Sequence, residues 1–387
     1  MKKKGLVYLR RRIRKRARRL RPNVVGLSVW RGTTPSRFPL LIIGTLPQGG
    51  IAGSDLILAR AYGTTIRHLG GVPFGASGSP VYRGRDLLGA ISAVFAPDNS
   101  LVGITPIEAM LALPQEPTLS PATANDAVGP ATGLPLTTQG ISSNRALIAL
   151  EQHYGRVQKM LSISASPVQQ TSSPSLLAGE SIGVALMLGD IQLGYIGTVT
   201  LVQGSQVFAF GHPLLFAGPT NMPLTRAPIL TTTRGSYPQK IGSFGPVIGT
   251  IHQDRSAGVL AQVGTTPSTV KLQLSIHDAD RQRTTTFTAQ VANINSELPF
   301  LTFIAALEGM QRAMNRVGAG SAAWQWRLTF TDLTPPIEAV ANQSDATDIG
   351  FTVALSGETL VNQALTSGAT LKSIELIATV GSQLNSV

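Results

Sequence analysis

The sequence predicts a mainly β protein built of barrels or sandwiches. Forty glycines and 25 prolines punctuate its 387 residues. Short Val/Ile/Thr-rich runs fill the intervals, and stretches with helical periodicity are few. A chain this long buries a substantial core and divides into two or three domains.

Residues 1–22 carry twelve of the 32 basic residues and no acid, which leaves 20 basic against 20 acidic residues in the rest of the chain. The formal net charge of +12 therefore belongs to a basic, solvated tail on an electrically balanced body. Such a tail is suited to an anionic membrane surface or to the phosphate backbone of nucleic acid, and either contact weakens with salt. The stretch lacks the apolar run of a secretory signal, because Arg10 interrupts Leu6 to Leu9. No later segment supplies 18 uncharged apolar residues. Cysteine is absent, which excludes disulfides, a thiolate nucleophile and a cysteine-bound metal.

Residues 23–113 read as the first β unit. Val24 to Trp30, Pro39 to Thr45 and Asp55 to Ala61 alternate with polar turns as strands. Pro106 at a first helical position starts a short helix to Leu113, with Glu108 favoured by the helix dipole. Residues 114–178 read as a linker with one helix, Asn144 to Val157, placing Leu147, Ile148, Leu150 and Tyr154 at helical spacing. Its ends, 114–142 and 163–177, are rich in Pro, Ser, Thr and Gln and read as extended surface chain. Residues 179–264 form a second β unit with strands at Gly183 to Leu188, Tyr195 to Val202 and Gln206 to Phe210. In 265–387 the strands Val270 to Ile276, Thr285 to Val291 and Trp324 to Thr331 surround one helix, Leu298 to Val317, whose stripe of Leu301, Ile304, Leu307 and Met310 is core packing.

Within the first unit, Phe74-Gly-Ala-Ser-Gly-Ser-Pro80 holds Ser77 among glycines on a tight turn ahead of a hairpin, Val81-Tyr82 paired with Leu87 to Val94. A hydroxyl acts as a nucleophile when it stands clear of the backbone beside amide N–H groups able to hold an oxyanion. Gly75 and Gly78 open the backbone angles for such a turn, and the N–H groups of Gly75 and Ser77 are the candidate donors. A plain Gly-Ser loop between two strands has the same composition.

Gly75-x-Ser77-Gly-Ser-Pro80 followed by Leu88-Gly-Ala-Ile91 resembles the nucleophile segment of chymotrypsin-like serine peptidases, and more closely the SpoIVB serine-peptidase family. Gly70-Gly71 stand at the family's distance before the serine. Gly197-Thr198 running on to Gly211-His212 resembles its histidine segment, and Gly249-Thr-Ile251 to Gly258 the strand that follows. The resemblance covers about half of the chain. It implies a two-barrel, chymotrypsin-like core acting on a peptide or protein substrate without a cofactor, with Ser77 as nucleophile and His212 as base. Here the serine block precedes the histidine block, an order that reads as permuted; a triad is spatial, so chain order is free. Tyr62 stands at the family's acid position, fifteen residues before the serine. Asp55 and Asp254 are the nearest substitutes, neither at the matched place, and Asp254 is the candidate orienting acid. Members of the family act outside the cytoplasm.

The other histidines take plainer readings. His68 lies nine residues before Ser77 along a strand and turn, His252 pairs with Asp254 on one strand face, and His153 and His277 face solvent. No His-Glu-x-x-His or phosphate-loop spacing occurs. The function that follows is serine endopeptidase-like hydrolysis, with cleavage of its own loop at 163–177 open to it. A peptidase-derived binding scaffold held by the basic tail to a membrane or polyanion, and a nucleic-acid-binding protein, are the alternatives.

Overall fold

The computed structural model describes residues 24–115, 135–155, 157–160 and 175–384. The basic tail, most of the extended stretches 114–142 and 163–177, and the tail's contacts with membrane or nucleic acid lie outside the described residues.

Six antiparallel strands close the first barrel: β1 Val24–Ser28, β2 Ser36–Leu46, β3 Leu56–Ala61, β4 Pro80–Arg83, β5 Asp86–Phe95 and β6 Asp98–Pro106. They pair in the order β1-β2-β3-β6-β5-β4, and β4 returns to β1. Alternation drives the closure, with Phe38, Leu40, Ala59, Val81, Ile91, Val102 and Ile104 filling the interior. Between β3 and β4 a one-turn helix, α1 Thr64–Leu69, carries His68, so that residue sits exposed on a helix and not on the expected strand. After β6 the chain enters α2 Ile107–Leu111, with Pro106 as its N-cap and not its first helical residue, and the helix ends two residues before the expected Leu113.

Thirteen of the remaining fifteen strands join one sheet. β7 Leu136–Gln139 and β8 Val157–Met160 flank α3 Asn144–Tyr154, pair with each other in parallel, and extend the sheet from its edge. The region expected to be a linker is thus partly built into the sheet. α3 stops at Tyr154 because Gly155 turns the chain at φ +79. One face buries Ala146, Leu150 and Tyr154, while Ile148 stays exposed. His153, expected in solvent, stacks on Phe300 with ring centroids 3.9 Å apart and lies 3.3 Å from Glu297.

The next strands are β9 Ser181–Gly189, β10 Gln192–Gln203, β11 Gln206–Ala209 and β12 Gly218–Arg226. A two-stranded ribbon of β13 Ile229–Thr232 and β14 Lys240–Gly242 follows, then β15 Val247–Arg255 and β16 Gly258–Val263. β9 pairs with β12 and also with β10, so the pairings β9-β12-β15-β16-β11-β10-β9 run round a ring of six strands.

β18 Arg283–Ala292 pairs with β9 and leads the sheet outward through β17 Thr269–Asp278, β21 Leu371–Gly381, β19 Gly320–Phe330 and the edge strand β20 Ile337–Asp345. Two helices cover this part, α4 Leu298–Met314 and α5 Ile349–Leu365, where the sequence pattern gave one. α4 ends three residues before the expected Val317, since Asn315 adopts φ +51. Buried Glu308 of α4 accepts from the N–H groups of Ser142 and Ser143 and pairs with Arg312, fastening the start of α3 to this layer.

α5 packs through Gly357 onto the fully buried Trp326 of β19, whose indole donates to Ser356 Oγ at 3.0 Å. A methyl at residue 357 would come within 2.6 Å of the Trp326 ring. Gly357→Ala should therefore lower stability by about 1–3 kcal/mol through overpacking, although alanine is the better helix former. Urea unfolding measures this, and an unchanged midpoint would mean a looser contact.

Candidate functional site

Four of the six amides of the Ser77 turn, residues 74–79, are bonded. Phe74 N donates to Pro238 O, Ala76 N to Pro73 O, Gly78 N to Ile91 O at 2.7 Å and Ser79 N to Ala76 O at 2.9 Å. The N–H groups of Gly75 and Ser77 are left without an acceptor among the described residues. Both belong to peptide units whose carbonyls are pinned: Phe74 O accepts from Lys240 N at 3.0 Å, and Ala76 O accepts from Ser79 N. In a trans peptide the N–H points opposite its carbonyl, so fixing the carbonyls fixes the directions of the two free donors. Ser77 is half-buried, and its hydroxyl makes no hydrogen bond among the described residues.

Gly75 and Gly78 hold φ of +87 and +91. Contact with the large sheet adds a second constraint at Gly78. A Cβ there would fall on Thr198 O and within 2.5 Å of Phe210 N. The turn thus lies directly on β10 and on the chain leading to His212. Thr198 N donates to Ser77 O at 2.8 Å, Thr198 Oγ1 to Gly75 O at 3.1 Å, and Thr200 Oγ1 to Gly78 O at 2.8 Å.

His212 follows β11 on a strained turn. Phe210, fully buried, holds φ +67, a conformation costly for a bulky residue. Its ring fills the space over Gly197 that any side chain would block. The next carbonyl, Gly211 O, accepts from Thr105 Oγ1 of β6 at 2.6 Å, so the first barrel grips this turn as well. His212 is 1% exposed. Its Nδ1 lies 2.7 Å from Pro213 O. A carbonyl only accepts, so Nδ1 carries the proton and Nε2 keeps the lone pair. Burial pushes the imidazole down to about 4.

Asp254, fully buried on β15, does not meet the imidazole. Its oxygens accept from Leu214 N and Leu215 N, both at 2.7 Å, and from Ala217 N at 3.3 Å. It fixes the chain that carries His212, while the Pro213 carbonyl orients the ring. Burial raises its pKa and the amide donors oppose that rise. Tyr62 is 43% exposed and takes no part. His252 is half-buried with an unpartnered Nε2, and His277 bonds Thr284 on the surface. No hydrogen bond joins Ser77 Oγ to His212. The structure brings their two turns together on Thr198.

Sequence reasoning missed Lys240. It is 2% exposed, and its Nζ donates to Thr198 Oγ1 at 3.0 Å and Ser181 Oγ at 3.2 Å, with no carboxylate in reach among the described residues. Its stem packs on Gly75, and burial alone pushes its pKa down to about 7. Nothing in Gln239-Lys240-Ile241 distinguishes it from a surface lysine, because its neighbours come from β9, β10 and the Ser77 turn. A cavity of about 430 Å³ lies elsewhere, lined by Arg283, Arg312 and Arg316 beside α4, and includes none of these groups.

No family model, curated protein or solved structure matches the chain.

Two stability experiments follow. The unfolded His212 ring titrates near 6.5 and the folded ring near 4, so its contribution is complete above pH 6.5 and is lost as pH falls towards 4. The loss is about 3 kcal/mol in urea unfolding, and His212→Gln should remove that part of the slope. Asp254→Ala strands several buried amides and should cost about 3 kcal/mol or more; a smaller loss would mean that water replaces the carboxylate.

Proposed function

We propose that the chain is a serine endopeptidase-like hydrolase with a two-barrel, chymotrypsin-like core, related in its site to the SpoIVB serine peptidases. The observation that carries the reading is the docking of the Ser77 turn on Thr198, beside the turn that bears His212. The two unpaired N–H groups, Gly75 and Ser77, support it as the donors of an oxyanion hole. The Nδ1–H tautomer of His212 supports it as the base, because it leaves Nε2 free to accept.

In this reading Ser77 Oγ forms a bond to the carbonyl carbon of a peptide. Its proton passes to His212 Nε2, and the carbonyl oxygen becomes the oxyanion held by Gly75 and Ser77 N–H. Collapse breaks the C–N bond and the amine leaves with the proton from His212. Water then hydrolyses the acyl-serine by the same transfers in reverse order. Rotation of the Ser77 side chain and adjustment at the crevice are required, since hydrogen bonds of this kind tighten when substrate binds. Asp254 serves by holding residues 214–217. The basic residues of 1–22 are the contact with an anionic membrane or nucleic acid, extracytoplasmic action being part of the family likeness.

A fluorophosphonate probe tests the reading. Its phosphorus bonds to Ser77 Oγ, fluoride leaves, and the proton goes to the base. The wild type should be labelled at Ser77, Ser77→Ala unlabelled, and His212→Ala labelled about 10³-fold more slowly. An unlabelled wild type would overturn hydrolysis in favour of the binding scaffold, the reading to which the missing carboxylate partner of His212 belongs.

A further inference from the structure

Lys240 is the one buried ammonium among the described residues that the hydrolase reading leaves unused, and it reaches the Ser77 turn directly and through Thr198. Its main-chain N–H holds Phe74 O, and its Nζ holds Thr198 Oγ1, whose own proton is thereby directed to Gly75 O. An ammonium only donates, so the order of these bonds runs one way, Lys240 to Thr198 to Gly75. The peptide units on both sides of Gly75 are clamped from one residue. Nζ also lies 5.8 Å from the centre of the Trp30 ring, a further favourable contact for a cation.

Among the described residues no charged group faces it. The turn, β10 and β14 present no titratable side chain to Nζ. On β9, Ser181 follows Glu180, which is tied to Arg226. Arg31 next to Trp30, and Arg234 and Tyr237 in the loop before β14, are exposed. A buried cation without a carboxylate is costly, and a nearby developing negative charge relieves that cost.

We propose that Lys240 is a positioning residue of the Ser77 turn, an ammonium that holds the Gly75 N–H in line and favours negative charge forming beside it. The inference rests on the hydrolase reading for its use, but the clamp is testable without activity. Since burial places its titration at about 7, the ammonium is present below that pH and lost above it.

Two readouts on the full chain separate the claims. In hydrogen–deuterium exchange, Lys240→Met should speed the amides of residues 74–79 about tenfold while β2 and β3 remain protected. Thr198→Val, which cuts the link and keeps the charge, should do the same and carries the test if Lys240→Met does not fold. In fluorophosphonate labelling, the wild-type rate should fall as pH rises above about 7. Lys240→Arg should keep its rate to about pH 9, because guanidinium stays charged. Lys240→Met should be slower by about tenfold with no alkaline fall. Unchanged exchange in both variants, or an alkaline fall that persists in Lys240→Met, would overturn the proposal. A wild type without labelling but with exchange that responds to Lys240→Met would sink the hydrolase reading alone and leave the clamp standing.

Discussion

The close approach of the Gly78 turn to β10 is the contact on which the site depends. Two closed sets of strands present mostly saturated backbones to each other, and a loop laid between them buries carbonyls that water can no longer reach. Each unpaired buried carbonyl costs about 1–3 kcal/mol. Threonine hydroxyls meet that demand here, Thr198 and Thr200 from the second ring and Thr105 from the first barrel. Glycine at residue 78 is the condition for the Thr198 and Thr200 bonds, since any side chain would push the turn off Thr198 and Phe210.

The same contact sets the electrostatics. With water excluded, the two titratable groups nearest the turn are both pushed towards their neutral forms, His212 to about 4 and Lys240 to about 7. The nearest buried carboxylate, Asp254, is saturated by backbone donors and acts as the anchor of a strained loop in which Phe210 and Phe216 both hold positive φ. Strain of that kind persists only where the surroundings over-determine it, and Asp254 together with the Thr105 bond supplies the determination.

Much of this was legible in the sequence where the signal is local. The strands of the first barrel follow from alternation, α4 from the apolar stripe at Leu301, Ile304, Leu307 and Met310, and the Ser77 turn from its glycines. α5 was not legible, because Gly350, Thr352, Val353, Ser356 and Gly357 are poor helix formers. Packing on Trp326, which Gly357 admits, overrides that propensity. β7 and β8 hid in a stretch of turn residues, since a short strand at a sheet edge needs only a partner. Of the site, Ser77, Gly75 and His212 could be named from glycine-flanked motifs. The partners of Asp254 and Lys240 could not, because each is met by residues about 40 or more positions away, and such contacts leave no mark on a single chain.

One consequence concerns the orienting group of His212. A carboxylate on Nδ1 would fix the tautomer and also stabilise the protonated ring, whereas the Pro213 carbonyl does the first and little of the second. The depression of the imidazole from 6.5 to about 4 makes the protonated ring about 3 kcal/mol harder to form than in water. On the hydrolase reading that deficit falls on the step that transfers the Ser77 proton. Its compensation has to lie where the opposite charge develops, and a single oxyanion donor in a water-excluded site contributes about 3–4 kcal/mol. A turn that keeps two amides unpaired above a buried ammonium has the resources to offset it. On that reading, the absence of an acid beside His212 and the presence of Lys240 against Gly75 are two halves of one arrangement, in which stabilisation shifts from the base to the oxyanion.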